Sequence, residues 1–184
     1  MIPLRNIRRF LSKAAQQPGY AFGVLLKRMR ASWYYRFGNG VSVMPESVTL
    51  FLTRRCNLRC VMCGQWGQSG VTKKQGILQE EEPSFTTLCS LIDQLTPFRT
   101  NVTLFGGEPL LYRHCIPLIK HITSRGLHCV MITNGSLLAP VAEELVGAGI
   151  DELNISLDGD APLHDDIRGL PGLFDRIVAG LDAV

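Results

Sequence analysis

The chain has 184 residues, 46% hydrophobic and 19% charged. That apolar content excludes a disordered chain, and no uninterrupted apolar run approaches the ~18 residues needed to cross a bilayer. The net charge of +3 is unevenly spread: residues 1–45 carry Arg5, Arg8, Arg9, Lys13, Lys27, Arg28, Arg30 and Arg36 with no acidic residue, and the remainder is net acidic.

The basic segment is not a secretory signal, because no apolar core and no small-residue cleavage site follow its cations. Its Arg-rich start resembles a transit peptide in composition, but Ser is sparse. Ile2, Ile7, Phe10 and Leu11 fall on one face of a basic helix. A second stretch, with Tyr20, Phe22, Val24, Leu25 and Leu26, runs to Met29 after Pro18-Gly19. Two readings stand. One is a helix lying on an anionic membrane surface, or a basic patch for nucleic acid or an acidic leader peptide. The other, which the sequence favours, is an extension packed on the side of the following domain through Trp33, Tyr34, Tyr35 and Phe37.

From residue 46 onward strands alternate with helices. Residues 48–53, 101–105, 128–133 and 152–157 are short, nearly continuous β-branched and apolar runs, the pattern of strands covered on both faces. Phe85, Leu88, Leu91, Ile92 and Leu95 lie at helical spacing and stop at Pro97. Leu118, Ile119 and Ile122 mark a second helix closed by Gly126. Pro140 starts a third, with Val141, Leu145 and Val146 inward. Pro171 starts a fourth, with Phe174, Ile177, Val178 and Leu181 on one stripe.

Such alternation predicts βαβ units and a parallel sheet. The connection after the first strand is longer than the others by about one unit. In parallel α/β sheets the loops at the carboxyl ends of the strands build the site. The expected organisation is residues 1–45 as a basic helical extension and 46–184 as the core domain. That domain ends after its fourth βα unit, as a fragment or a truncated reading frame would.

The expanded connection holds Cys56-Asn-Leu-Arg-Cys60-Val-Met-Cys63, three of the six cysteines. Their crowding suits a metal site in a reducing, cytosolic setting better than disulfides. An iron–sulfur cube takes four ligands, so three cysteines leave one iron open. Zinc held with His114 or His164, and three unrelated buried cysteines, remain as alternatives. Further motifs stand at the ends of the later strands: Gly106-Gly107-Glu108-Pro109, Thr133-Asn134-Gly135 and Ser156-Leu157-Asp158-Gly159. Each also reads as a plain turn.

Together these motifs resemble the radical S-adenosylmethionine enzymes over residues 46–184. His164-Asp-Asp-Ile-Arg168-Gly169 and Gly172-Leu-Phe-Asp175 resemble members with a C-terminal cysteine-rich SPASM extension. The resemblance implies an α/β fold of parallel βα repeats, the first four units of a partial (β/α)6 TIM-like barrel. It implies a [4Fe-4S] cluster on Cys56, Cys60 and Cys63 with S-adenosylmethionine chelating the open iron. An electron donor completes the cofactor set, reductive cleavage gives a 5′-deoxyadenosyl radical, and the substrate is a peptide or protein side chain. A non-catalytic metal- or cluster-binding fragment is the alternative.

By the same resemblance Gly106 and Gly107 let backbone approach the methionine moiety, and Glu108 meets its amino group. Ser156 and Asp158 share a strand face and reach the carboxylate or ribose. Arg168 pairs with the carboxylate, and Thr133 and Asn134 line the pocket. Met62 stands where many members carry an aromatic residue against the adenine. Outside the site, Cys89 and Cys129 read as core residues, Cys115 stays open, and His114, His121 and His128 read as surface or satisfied residues. Lys73, Lys74 and Glu80-Glu81-Glu82 read as a solvated loop. With Trp66, Gly64, Gly67, Gly70 and Gly76, that loop could also form a lid.

Overall fold

The structure, a computed structural model, describes residues 18–72 and 82–184 together with Ala15. The expected first helix face around Ile2–Leu11, and Lys73, Lys74, Gly76, Glu80 and Glu81, lie outside the described residues. The chain divides into two compact units, Met1–Glu46 and Ser47–Val184.

The first unit is built on helix α1, Pro18–Phe37. Proline at its first position needs no amide partner there. The helix ends where Gly38 N–H donates to Tyr34 O at 2.8 Å and Asn39 and Gly40 turn to positive φ. Trp33, Tyr35 and Phe37 are exposed. Tyr34 is half-buried beside the Arg30 guanidinium, 5.8 Å from its ring centre. Among the described residues, no helix is long and apolar enough to cross a membrane.

The second unit is one parallel sheet, β1 (Ser47–Phe51), β2 (Asn101–Phe105), β3 (Cys129–Thr133) and β4 (Glu152–Ile155), in sequential order. The register aligns Leu50, Leu104, Met131 and Leu153 in one row and Val48, Val102 and Cys129 in another. These rows carry the main core, with Leu88, Ile92, Leu118, Ile119, Ile122, Leu138 and Leu145 from the helices packed over them. Burial alternates along β2 and β3. Thr103, Phe105, Val130 and Ile132 on the other face are only half-buried, and Phe51 is exposed. The expectation of strands covered on both faces is therefore corrected. Helices cover one face, and the β-branched residues of the other still favour a pleated strand without being packed.

The helices are α2 (Phe85–Leu95), α3 (Cys115–Ser124), α4 (Leu138–Gly147), α5 (Ala161–Arg168) and α6 (Leu173–Asp182). Ser84 caps α2 by accepting from Thr87 N–H at 3.1 Å, and Pro97 turns the chain into one 3₁₀ turn, Thr96–Phe98. Helix α4 begins two residues before Pro140 and buries Leu138, Ala142 and Leu145, leaving Val146 exposed. The sequence pattern misses α5, whose start is Asp160 accepting from Leu163 N–H and whose stop is Gly169 in the left-handed region. Helix α6 starts after Gly172, past Pro171, and buries Leu173, Ile177 and Gly180 rather than Val178 and Leu181. Gly180 is needed there, since a Cβ would lie 2.9 Å from that of Leu138.

Candidate cofactor site at the carboxyl ends of the strands

In a parallel sheet all four strands end on one side, and the motifs meet there. Beyond β1 and β2 the backbones stay paired. Leu52 N–H donates to Phe105 O at 2.9 Å, Gly107 N–H to Thr53 O at 2.7 Å and Glu108 N–H to Arg55 O at 2.8 Å. A Cβ on Gly106 would come within 2.5 Å of Thr53 O, and one on Gly107 closer still to Arg55 O. The two glycines were expected to make room for a ligand. The structure gives them another reason: they admit the chain that leads into Cys56.

From there the cysteine loop is held on three sides. Leu58 is buried with Cys60 against Leu173 and Ile177 of α6. Val61 N–H donates to Ile167 O at 3.0 Å, tying the loop to α5. The Arg59 guanidinium caps the peptide carbonyls of Cys56 and Leu58 and stacks 4.1 Å from the centre of the Trp66 ring. Trp66 Nε1–H in turn donates to Arg54 O at 2.9 Å. Trp66 therefore fastens this loop to its own start.

Each of the three cysteine sulfurs faces an N–H donor. Asn134 Nδ2 lies 3.8 Å from Cys56 Sγ, Arg168 Nη1 3.8 Å from Cys60 Sγ, and the Trp66 amide 3.4 Å from Cys63 Sγ. Donors aimed at sulfur are what tunes an iron–sulfur centre, although burial still raises the Cys56 thiol above its ordinary value against its Asn134 donor. The core cysteine Cys115 differs, because its thiol donates to Met131 Sδ at 3.9 Å. Burial pushes the Cys115 and Cys129 thiols up to about 12. Both are core residues, whereas Cys89 is half-buried.

The carboxylate of Glu108 is fully buried. Its Oε1 accepts from Thr133 Oγ1 at 2.8 Å and Leu110 N–H at 3.1 Å, and its Oε2 accepts from Asn134 N–H at 2.9 Å. Burial nevertheless lifts its pKa, against the pull of those hydrogen bonds. Glu108 thus joins the ends of β2 and β3, and Oε2 keeps a lone pair to spare. Asn134 extends the network through Nδ2 to Asn57 Oδ1 at 3.0 Å and by accepting from Ser136.

Strand β4 ends at Ile155, so Ser156 and Asp158 are loop residues rather than one strand face. The Ser156 amide donates to Thr133 O at 3.2 Å. Asp158 is held by Arg168, which reaches Cys60 with its remaining nitrogen. Arg168 is drawn to Asp158 rather than to Asp165, its neighbour on α5. Asp165 instead accepts from the amides of Gly172 and Phe174 and so bridges α5 to α6. Met62 is exposed and touches none of these groups in a hydrogen bond.

The zinc alternative loses its histidines. His164 is fully buried, its Nδ1 accepts from Asp158 N–H at 3.3 Å, and its ring meets Phe174 edge-on. His114 lies against Phe85 and accepts from Arg113, and His121 pairs with Asp93 at 3.0 Å. Among the described residues, no three His, Cys, Asp or Glu side chains converge on one ion. A cube does not ask for that, because each thiolate takes a different iron.

Sequence reasoning passed over Asn57, Ser136 and the packing role of His164. The last was findable: His164 and Arg168 are four apart, so both sit on the α5 face turned to Asp158.

The family model described as Radical SAM superfamily matches residues 50–184. The AdoMet-dependent heme synthase of Methanosarcina barkeri is 36% identical over 143 residues, 76% of this chain and 39% of that protein. The GTP 3′,8-cyclase of Rhodopirellula baltica is 36% identical over 141 residues, 75% of this chain and 38% of that one. The chain therefore spans about two fifths of the length of these relatives. In fold it resembles Streptococcus suis SuiB, solved with its precursor peptide SuiA, at a TM-score of 0.63 and 16% identity, covering 96% of this chain and 34% of SuiB. With the cysteine loop and the glycine–glutamate turn at the carboxyl ends of a sequential parallel sheet, the match over residues 50–184 makes this chain a member of the radical SAM superfamily.

Proposed function

We propose that Cys56, Cys60 and Cys63 hold a [4Fe-4S] cluster and that S-adenosylmethionine binds beside it, framed by Met62, Gly106, Gly107, Glu108, Thr133, Asn134, Ser156, Asp158 and Arg168. The observation that carries this reading is the N–H donor facing each of the three sulfurs. When bound and reduced by an electron donor, this cofactor pair supplies homolysis of the sulfonium and a 5′-deoxyadenosyl radical that takes hydrogen from a substrate.

The chain's own residues hold the donors in place. Glu108 fixes the Thr133-Asn134 turn, which aims Asn134 at Cys56. Asp158 fixes Arg168, which aims Nη1 at Cys60. The Arg168 guanidinium suits a carboxylate. The half-exposed inner face of the sheet, with Thr103, Phe105, Val130 and Ile132, leaves apolar surface below the site for the substrate.

We assign a peptide or protein side chain as substrate, supported by the SPASM-like stretch from His164 to Asp175 and by the fold shared with SuiB. A small-molecule substrate is the second reading, supported by relatives named for heme synthesis and GTP cyclisation.

Anaerobic reconstitution with iron and sulfide, followed by electron paramagnetic resonance with and without S-adenosylmethionine, tests the site. The expected result is a reduced-cluster signal that shifts on adding S-adenosylmethionine, with 5′-deoxyadenosine formed under reductant. A cluster blind to S-adenosylmethionine would make the chain a non-catalytic cluster binder. Stimulation of 5′-deoxyadenosine release by peptides, or instead by porphyrin or GTP, separates the two substrate readings.

A further inference from the structure

Helix α1 carries an apolar stripe that the radical chemistry does not use. Phe22, Leu25, Leu26, Met29, Trp33 and Phe37 recur at intervals of three and four residues, so they line one side of the helix. All six are exposed, Trp33 at 64% and Phe37 at 62%. Trp33 and Phe37 face each other with ring centres 4.7 Å apart, which makes the lower end of the stripe one aromatic surface. Along a helix of 20 residues, the stripe runs roughly 25 Å. The opposite side mixes Ala21, Val24, Ala31 and Tyr34, which are buried or half-buried, with Tyr35, which is 92% exposed.

Charge narrows the occupant. Helix α1 contains Lys27, Arg28, Arg30 and Arg36 and no acidic residue. Arg30 lies along one margin of the stripe, Arg36 falls within it near its lower end, and Arg28 stands well behind the other margin. Arg28 pairs with Glu46 at 3.1 Å, but the pair is exposed and worth little. An apolar row on a helix that carries four cations and no acidic residue matches a surface with acyl chains beneath and phosphates above. Tryptophan at that depth also favours the headgroup boundary. A folded acidic protein would need a groove complementary to the row, and a second copy would bring its own cations against these.

We propose that α1 is a membrane-docking helix that lies in the surface of an anionic bilayer with Phe22, Leu25, Leu26, Met29, Trp33 and Phe37 inserted. The proposal is independent of the cofactor reading above.

The test is co-sedimentation of the full chain with vesicles of phosphatidylcholine alone and of phosphatidylcholine mixed with phosphatidylglycerol. The wild type is expected to bind the anionic vesicles and to be released by salt. The double variant Trp33→Glu, Phe37→Glu is expected to bind at least roughly tenfold more weakly. Arg30→Gln with Arg36→Gln is expected to lose roughly fivefold per cation on anionic vesicles and nothing on neutral ones. All substituted side chains are exposed or at the helix end, so circular dichroism should match the wild type. Equal binding by the Glu variant, or no binding to either vesicle, overturns the proposal. So does a wild type that elutes as a dimer, fails to bind vesicles, and becomes monomeric in the Glu variant, since the stripe is then an interface between copies.

Discussion

Arg168 grips Asp158 with two hydrogen bonds, Nε to Oδ2 at 2.6 Å and Nη2 to Oδ1 at 3.1 Å, and points its third nitrogen at Cys60 Sγ. One fork therefore joins the loop after β4, the end of α5 and the middle cysteine. Both side chains are largely buried. Burial alone would lower the arginine pKa, but Asp158 outweighs it and the net direction is up.

This fork should show as coupling. Asp158→Ala strands a guanidinium and is expected to cost ~2–3 kcal/mol, below the ~3–5 kcal/mol of a fully buried pair. The double variant with Arg168→Ala should cost less than the two singles combined, with an interaction of ~1–2 kcal/mol. Urea denaturation of the four proteins measures it. Additive losses would show that the fork contributes no stability of its own.

The turn at Gly107 makes a sharper demand. Any Cβ there meets the carbonyls of Arg54 and Arg55, backbone atoms that can give way only by moving the cysteine loop. Gly107→Ala is therefore expected to lose ~1–3 kcal/mol and much of its iron after reconstitution. Gly64 lies one residue beyond Cys63, with open space where its Cβ would be. Gly64→Ala should stay within about 0.5 kcal/mol of wild type and keep its iron. Equal iron contents in the two variants would contradict the close packing.

Glu108 gives stability a pH dependence of definite sign. Burial raises its folded pKa above the ordinary 4.5. Between 4.5 and the folded value the native state binds more protons than the unfolded one, so stability falls as pH rises. Below that window both states are neutral at this site, and above it both are charged. Glu108→Gln lacks this slope. It should also be less stable near neutral pH, because its amide nitrogen meets the Asn134 N–H that the carboxylate accepts. The gap between wild type and variant should narrow from pH 4.5 upward. A gap that widens would mean the hydrogen bonds, not burial, set the pKa.

Much of this was legible in the sequence, for definite reasons. Local signals marked β2, α3 and the cysteine loop, since β-branched runs, helical spacing and Cys clustering act within a few residues. Helix α5 was missed because its apolar content is low and its stability comes from Asp160, Gly169 and the Arg168–Asp158 fork. The stripes of α4 and α6 were each read turned from the true buried face. Leu138 and Gly180 were not counted, and their close packing decides which side faces in. At Gly106 and Gly107 the close approach to Thr53 and Arg55 was not legible, because it is visible only across two strands. The half-exposed inner face of the sheet was invisible for the same kind of cause: the side chains are apolar whether or not anything covers them.

The last prediction separates the cysteines by their neighbours. Cys56, Cys60 and Cys63 each face an N–H donor, while burial pushes Cys115 and Cys129 to about 12 and leaves them protonated. Cys60→Ala is expected to abolish the cluster, read as loss of iron and of the visible charge-transfer absorbance. Cys115→Ala and Cys129→Ala should keep both at a cost of ~1–2 kcal/mol in stability, the loss of a small buried side chain. Alkylation of the iron-free protein at mild alkaline pH offers a second readout, since only thiolate reacts. Cys115 and Cys129 should resist until the chain unfolds. Modification of either in the folded protein, or loss of iron in Cys129→Ala, would move the ligand set away from the loop. Retention of the full cluster in Cys60→Ala would do the same from the other side.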